Sequence, residues 1–168
     1  MEEKLVVNED YQITETTMFI SPYFHEVYRS MIFDEKGIYL CSKRPLKLIE
    51  EACIDDGATF DGRRQAVIQK LNYKVKTPIH ISPERMIYAF PTISFLNYDC
   101  TWIFANNIKD IEEKNKYTSE IIFRNGYRYT LKLPRKILMR QREKTALCMY
   151  IFSPIKRLQI QFTPMFRS

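Results

Sequence analysis

Apolar residues recur with two different periods along the chain, and each change of period marks an element. Between Phe24 and Cys41, two β-rich runs, EVYRSMIF and GIYLC, flank DEKG, whose residues suit a turn, so this stretch predicts a strand pair. The period then lengthens. In SKRPLKLIEEACIDDG, Leu46, Ile49 and Cys53 share one helical face with Leu48 and Ala52 beside them, Pro45 suits the first turn, and Gly57 is a stop. A second short helix is predicted through Ala66, Val67, Lys70 and Leu71, capped by Thr59 or Asp61. After Asn72 the period drops to two. Tyr73, Val75, Thr77, Ile79 and Ile81 alternate with Lys74, Lys76, Pro78, His80 and Ser82. That alternation predicts a half-buried strand whose polar face carries both lysines and an exposed His80, with Pro78 confining it to a sheet edge or splitting it.

RMIYAFPT and CTWIFANN predict two further strands. EIIFRNGYRYTLKL predicts a hairpin closed by a two-residue type I′ turn at Asn125-Gly126, with Arg124 opposite Tyr127 and Ile122 opposite Tyr129. Pro134 opens a longer helix running to roughly Met149; its turn from Arg140 to Thr145 has no apolar residue and is expected to face solvent. The last stretch, PIKRLQIQFTPMFRS, alternates only weakly. Together these elements predict one α+β domain over 1–168, mainly antiparallel sheet with two short helices and one longer C-terminal helix. Within it, 1–20 reads as an acidic N-terminal segment and 153–168 as a divergent C-terminal tail.

Composition narrows the function classes. A chain of 168 residues that is 45% hydrophobic and 14% aromatic can bury a core, which excludes a disordered chain, and its 4 glycines argue against a Gly-rich phosphate loop. The opening MEEKLVVNED has no apolar h-region and no apolar run is long enough for a bilayer, so a cytoplasmic protein with no membrane partner is expected. Cys41, Cys53, Cys100 and Cys148 form no CxxC pair and only His25 and His80 could join them, so buried thiols are expected and no metal or other cofactor. HExxH, Walker and GxSxG patterns are absent, and Asp55, Asp56 and Asp61 read as a solvated turn with a helix cap. The chain therefore does not read as an enzyme.

Charge is what remains. The formal net charge is +6 and is unevenly spread. Up to Ser30 the acids Glu2, Glu3, Glu9, Asp10, Glu15 and Glu26 face Lys4 and Arg29; from Arg124 onward the bases face a single carboxylate, Glu143. Arg63 and Arg64 stand in the first turn of a predicted helix, the wrong end for cations, so an anion there would explain them. Lys74 and Lys76, about 7 Å apart on a strand face, approach the spacing of successive phosphates. The other reading pairs Arg63 or Arg64 with Asp55, Asp56 or Asp61. Arg85 is a further candidate. Arg135, Lys136, Arg140, Arg142 and Lys144, with Arg128 and Lys132 on one face of the preceding strand, form either a solvated face or a second phosphate contact. Tyr88, Phe90, Phe95 and Trp102 sit in strand-like runs and read as core.

Cys53, GATFDGRR (Gly57 to Arg64), KTPIHISP (Lys76 to Pro83), YAFPTIS (Tyr88 to Ser94) and CTW (Cys100 to Trp102) occur in an order and at spacings that resemble the competence transcription factor family, ComK. The likeness runs from about Tyr39 to Ala146. It implies a bacterial activator of DNA-uptake genes that binds paired A·T-rich boxes as self-associating copies, largely through the minor groove, and that an adaptor delivers to a Clp protease. Phe60 stands where the family usually has Tyr. The ending TPMFRS has no close match to the family's aliphatic-aromatic-Pro-Lys segment, which IFSPIK (Ile151 to Lys156) only loosely echoes. The expectation is thus a DNA-binding activator with Arg63, Arg64, Lys74, Lys76, Arg85, Arg128, Lys132, Arg140 and Arg142 on double-stranded DNA. The alternative is a shortened family member that serves as a protein-interaction module, as dimer partner or adaptor ligand.

Overall fold

A computed structural model describes residues 3–154. Its main sheet has seven strands, in spatial order β1 (Leu5–Val7), β4 (Gly37–Cys41), β3 (Ser30–Asp34), β2 (Thr17–Pro22), β7 (Trp102–Phe104), β6 (Ile87–Pro91) and β5 (Ile79–Ser82). Only β1 and β4 run parallel. A second, antiparallel sheet has three strands, β8 (Ile108–Asn115), β9 (Thr118–Phe123) and β10 (Arg128–Leu131), with β9 central. Among the described residues there are three helices: α1 (Pro45–Asp55), α2 (Phe60–Leu71) and α3 (Arg135–Phe152). This is the α+β class expected from the pattern, with the longest helix at the C-terminal end.

The main sheet is buried on both faces. One face packs Ile20, Ile32, Ala89, Trp102 and Phe104 against Leu48, Ile49 and Cys53 of α1. The other packs Phe19, Phe33, Phe90 and Ile103 against Ile111, Ile121 and Phe123 of the small sheet and Leu138 of α3. A third cluster, Val67, Tyr88 and Cys148, ties α2 to α3 beside β6. All four cysteines are free and buried.

Local chemistry explains the helix ends. Thr59, not Asp61, caps α2: its hydroxyl accepts the Gly62 N–H at 3.0 Å. Asn72 ends α2 in the left-handed region at φ 60°, which Asn tolerates. Gly57 follows α1 at φ +93°, a conformation that costs glycine nothing.

Several expectations change. β2 begins inside the stretch read as an acidic segment, and Thr17, Met18, Phe19 and Ile20 are all buried; a central strand covered on both faces shows no alternation. β8 escaped the pattern because register shifts between Ile108 and Asp110 break its period of two. The hairpin has a three-residue loop. Phe123 donates its N–H to the Tyr127 carbonyl at 2.9 Å and Ile122 faces Arg128, one residue from the predicted register. Gly126 has φ +91° while Asn125 has no positive φ, so this is a type I turn with a bulge rather than a type I′ turn. The expected strand over Tyr73–Ser82 begins only at Ile79, and Lys74 and Lys76 precede it in an irregular segment. His80 is 3% exposed, stacked on Phe152 of α3 at 4.0 Å. The divergent tail lies outside the described residues except for Ser153 and Pro154.

Candidate nucleic-acid interface

The segment between α2 and β5 is shaped by α3. The Thr77 hydroxyl donates to the Tyr73 carbonyl at 2.6 Å, closing a tight turn. Lys76 takes φ +49°, a strained value for a side-chain-bearing residue. Its carbonyl is held by the Gln141 amide at 2.9 Å, and Lys144 Nζ donates to the Val75 carbonyl at 2.7 Å. Gln141, Lys144 and Thr145 are therefore buried, against the expectation of an exposed turn. That turn is polar because its partners are backbone carbonyls, which demand donors rather than methyl groups.

A groove of about 460 Å³ results, lined by Tyr73, Lys74, Lys76, Lys136, Arg140 and Lys144 among others, with no carboxylate in its lining among the described residues. Lys136, Arg140 and Lys144 recur every four residues, so they stack along one face of α3. Arg140 and Lys144 lie 5.7 and 5.1 Å from the Tyr73 ring centroid. None of the five cations has a carboxylate partner among the described residues. Burial, and then the neighbouring charges of Arg140 and Lys76, hold the Lys144 ammonium below the usual lysine value. Uncompensated positive charge gathered in this way favours an anion.

The remaining basic candidates go elsewhere. Arg63 donates to Asp56 Oδ2 at 2.6 Å, while Asp56 Oδ1 accepts from the Ser82 hydroxyl at 2.7 Å. The carboxylate thus ties the end of α1 to the start of α2 and to β5, which is the paired reading of that arginine. Arg64 turns to the Phe95 ring, 5.0 Å from its centroid. Arg85 makes a two-pronged pair with Glu15 at 2.6 and 3.0 Å and holds that carboxyl below its ordinary value. Arg128 bridges Glu120 and Glu112 on the open face of the small sheet. Lys132 is exposed and has no carboxylate partner among the described residues. Arg142 donates to the Ile108 carbonyl at 3.3 Å, and Arg135 to that of Ile111 at 2.7 Å. These two cover carbonyls along β8, an edge strand. The helix tip and the neighbouring strand therefore do not merge into one cationic surface. Lys74 and Lys76 join Arg140 instead, with Lys136 and Lys144. The four-residue spacing of 136, 140 and 144 was visible in the sequence; Tyr73 and Gln141 carried no signal there.

A family model described as ComK protein matches residues 8–157. The chain belongs to the ComK family. Among ComK relatives, the competence transcription factor of Bacillus subtilis (strain 168) is 26% identical over 129 residues, covering 75% of this chain. The chain spans 65% of that relative's length. No solved structure matches. Within this ComK chain the quoted motifs fall on the partly exposed α1–α2 junction and on the buried strands β5, β6 and β7. Most of them line the scaffold, and Lys76, which opens KTPIHISP, reaches the cationic groove. No helix among the described residues is long and apolar enough to cross a membrane.

Proposed function

We propose that this chain is a cytoplasmic, non-enzymatic, DNA-binding regulator of competence genes. The observation that carries the reading is the carboxylate-free groove between α3 and the segment before β5. There Lys74, Lys76, Lys136 and Arg140 engage successive phosphates, and Lys144 beneath them keeps the local potential positive. Family membership and the relative's name support competence-gene control. The resemblance supports paired A·T-rich boxes, read largely in the minor groove by self-associating copies. Minor-groove recognition suits such a chain, because that groove chiefly separates A·T from G·C and a narrow A-tract attracts cations.

Fluorescence anisotropy of labelled duplexes, A·T-rich and mixed, titrated at increasing salt tests this. Four phosphate contacts give a slope of log K against log salt of about −3 to −4. Tighter binding to the A·T-rich duplex at every salt is expected. A slope near zero, or no binding, sinks the reading.

A second reading is a protein-interaction module, as a partner for another copy or a ligand of a protease adaptor. An exposed apolar groove rimmed by Phe24, Leu96 and Tyr98 favours it.

A further inference from the structure

Two exposed apolar features lie away from the cationic groove. The first is β1. Leu5, Val6 and Val7 are 46, 45 and 50% exposed, and β1 is the outermost strand on its side, bonded to β4 alone. Glu3 precedes it and Asp10 follows, beside Lys4, while the Glu9 carboxylate turns back to accept the Ser42 N–H at 3.0 Å.

The second is a concave groove of about 430 Å³ between the loop after β2 and the loop before β7. Phe24, Leu96 and Tyr98, respectively 80, 74 and 72% exposed, form its rim. Among the described residues its only charged lining residues are Arg29 and Arg44. The Arg44 guanidinium lies 3.7 Å from the Tyr98 ring centroid, and Tyr23, His25 and Tyr28 stack at 5.6 and 5.2 Å beside Phe24. The Arg44 contact holds the Tyr98 ring in place.

We infer that these two surfaces bind each other across copies: the exposed Leu5, Val6 and Val7 side chains of one chain seat in the Phe24/Leu96/Tyr98 groove of the next, with Glu3 and Asp10 beside them meeting Arg29 and Arg44. This rests on the reading that the chain self-associates. The two surfaces match in both properties. An aromatic and arginine lining is what the centre of a protein interface carries, whereas a phosphate backbone would leave the apolar floor uncovered. The sign of charge also matches, basic groove against Glu3 and Asp10. Pairing β1 with a second β1 would instead bring these carboxylates together. Pairing within one copy is excluded because β1 is fastened to β4 over Leu5–Val7. A contact between two different patches is heterologous, so it leaves one free patch at each end and adds further copies.

Sedimentation velocity across a concentration series tests this with two variants: Val6→Lys on the strand, and Phe24→Asp/Leu96→Asp in the groove. The wild type should grow past the dimer with concentration. Each variant alone should associate about tenfold or more weakly. An equimolar mixture regains one intact groove and one intact strand, so it should form 1:1 pairs and nothing larger. Wild-type association with an unaffected groove variant overturns the assignment; so does a mixture no better associated than its parts. A groove variant that loses A·T-rich duplex binding while associating normally assigns the groove to nucleic acid and overturns it too. A monomeric wild type removes the self-association reading itself. Circular dichroism checks the fold; should Val6→Lys unfold, the groove variant against the wild type decides alone.

Discussion

At the start of α2, Arg63 gives its guanidinium to Asp56, and the Asp56 carboxylate is shared with Ser82. Just past the end of the same helix, Lys74 and Lys76 meet Lys136, Arg140 and Lys144 across a groove with no carboxylate in its lining. The two ends of α2 are equally basic in sequence, yet the start gives Arg63 to Asp56 and lays Arg64 on the Phe95 ring, whereas the end gathers its cations in one groove. At the start, a partly buried cation needed a partner, because an unpaired buried charge is costly. At the end, Lys74, Lys136 and Arg140 are exposed, so water rather than a carboxylate solvates them in the unbound chain. Charge held this way is available to an incoming anion. Charge held by Asp56 serves the fold.

Breaking the open end should have the largest effect. Lys136→Glu with Arg140→Glu, both exposed, should weaken duplex binding by about a hundredfold to a thousandfold at moderate salt with an unchanged melting temperature. Unchanged anisotropy would move the interface away from α3. The buried region near Arg63 should respond to pH instead. Burial first, and then Arg63, push His80 from its ordinary 6.5 down to about 4. Between those values the unfolded chain binds the proton and the folded chain does not. Stability present above pH 6.5 is therefore lost as the pH falls toward 4, by about 3 kcal/mol from this residue. Urea denaturation of wild type and His80→Leu at pH 7 and pH 4.5 checks this; equal losses in the two would show that His80 does not carry the window. Smaller still, Arg63→Ala should cost about 2 kcal/mol of stability by leaving Asp56 without its cation. It should not change the salt slope of duplex binding. A slope shallower by about one unit would show that Arg63 also touches phosphate, and would erase the contrast between the two ends.

Much of the scaffold is readable from local pattern. Pro45 at the first turn of α1, Thr59 as the cap of α2 and the antiparallel pair β3–β4 follow from residues close in the chain. The elements that escaped are those whose pattern depends on distant coverage. Met18, Phe19 and Ile20 look like a brief apolar run in an acidic stretch until β3 and β7 flank them. His80 looks polar-faced until α3 places Phe152 against it. The site divides the same way. Lys74, Lys76 and Arg140 were legible as cations, but their convergence was not.

By itself the sequence determined the supply of charge: Lys136, Arg140 and Lys144 four residues apart on α3, two lysines flanking a valine after α2, and the ordered motifs of the ComK family. Only the tertiary structure decided which of those charges stay free. Arg85 finds Glu15 across 70 residues, and Arg142 finds the Ile108 carbonyl across 34. The reason is that an ion pair or a covered carbonyl is set by distances of a few ångströms between elements. Those distances arise from packing the apolar faces of the sheets and helices, on which the charged residues themselves have little influence.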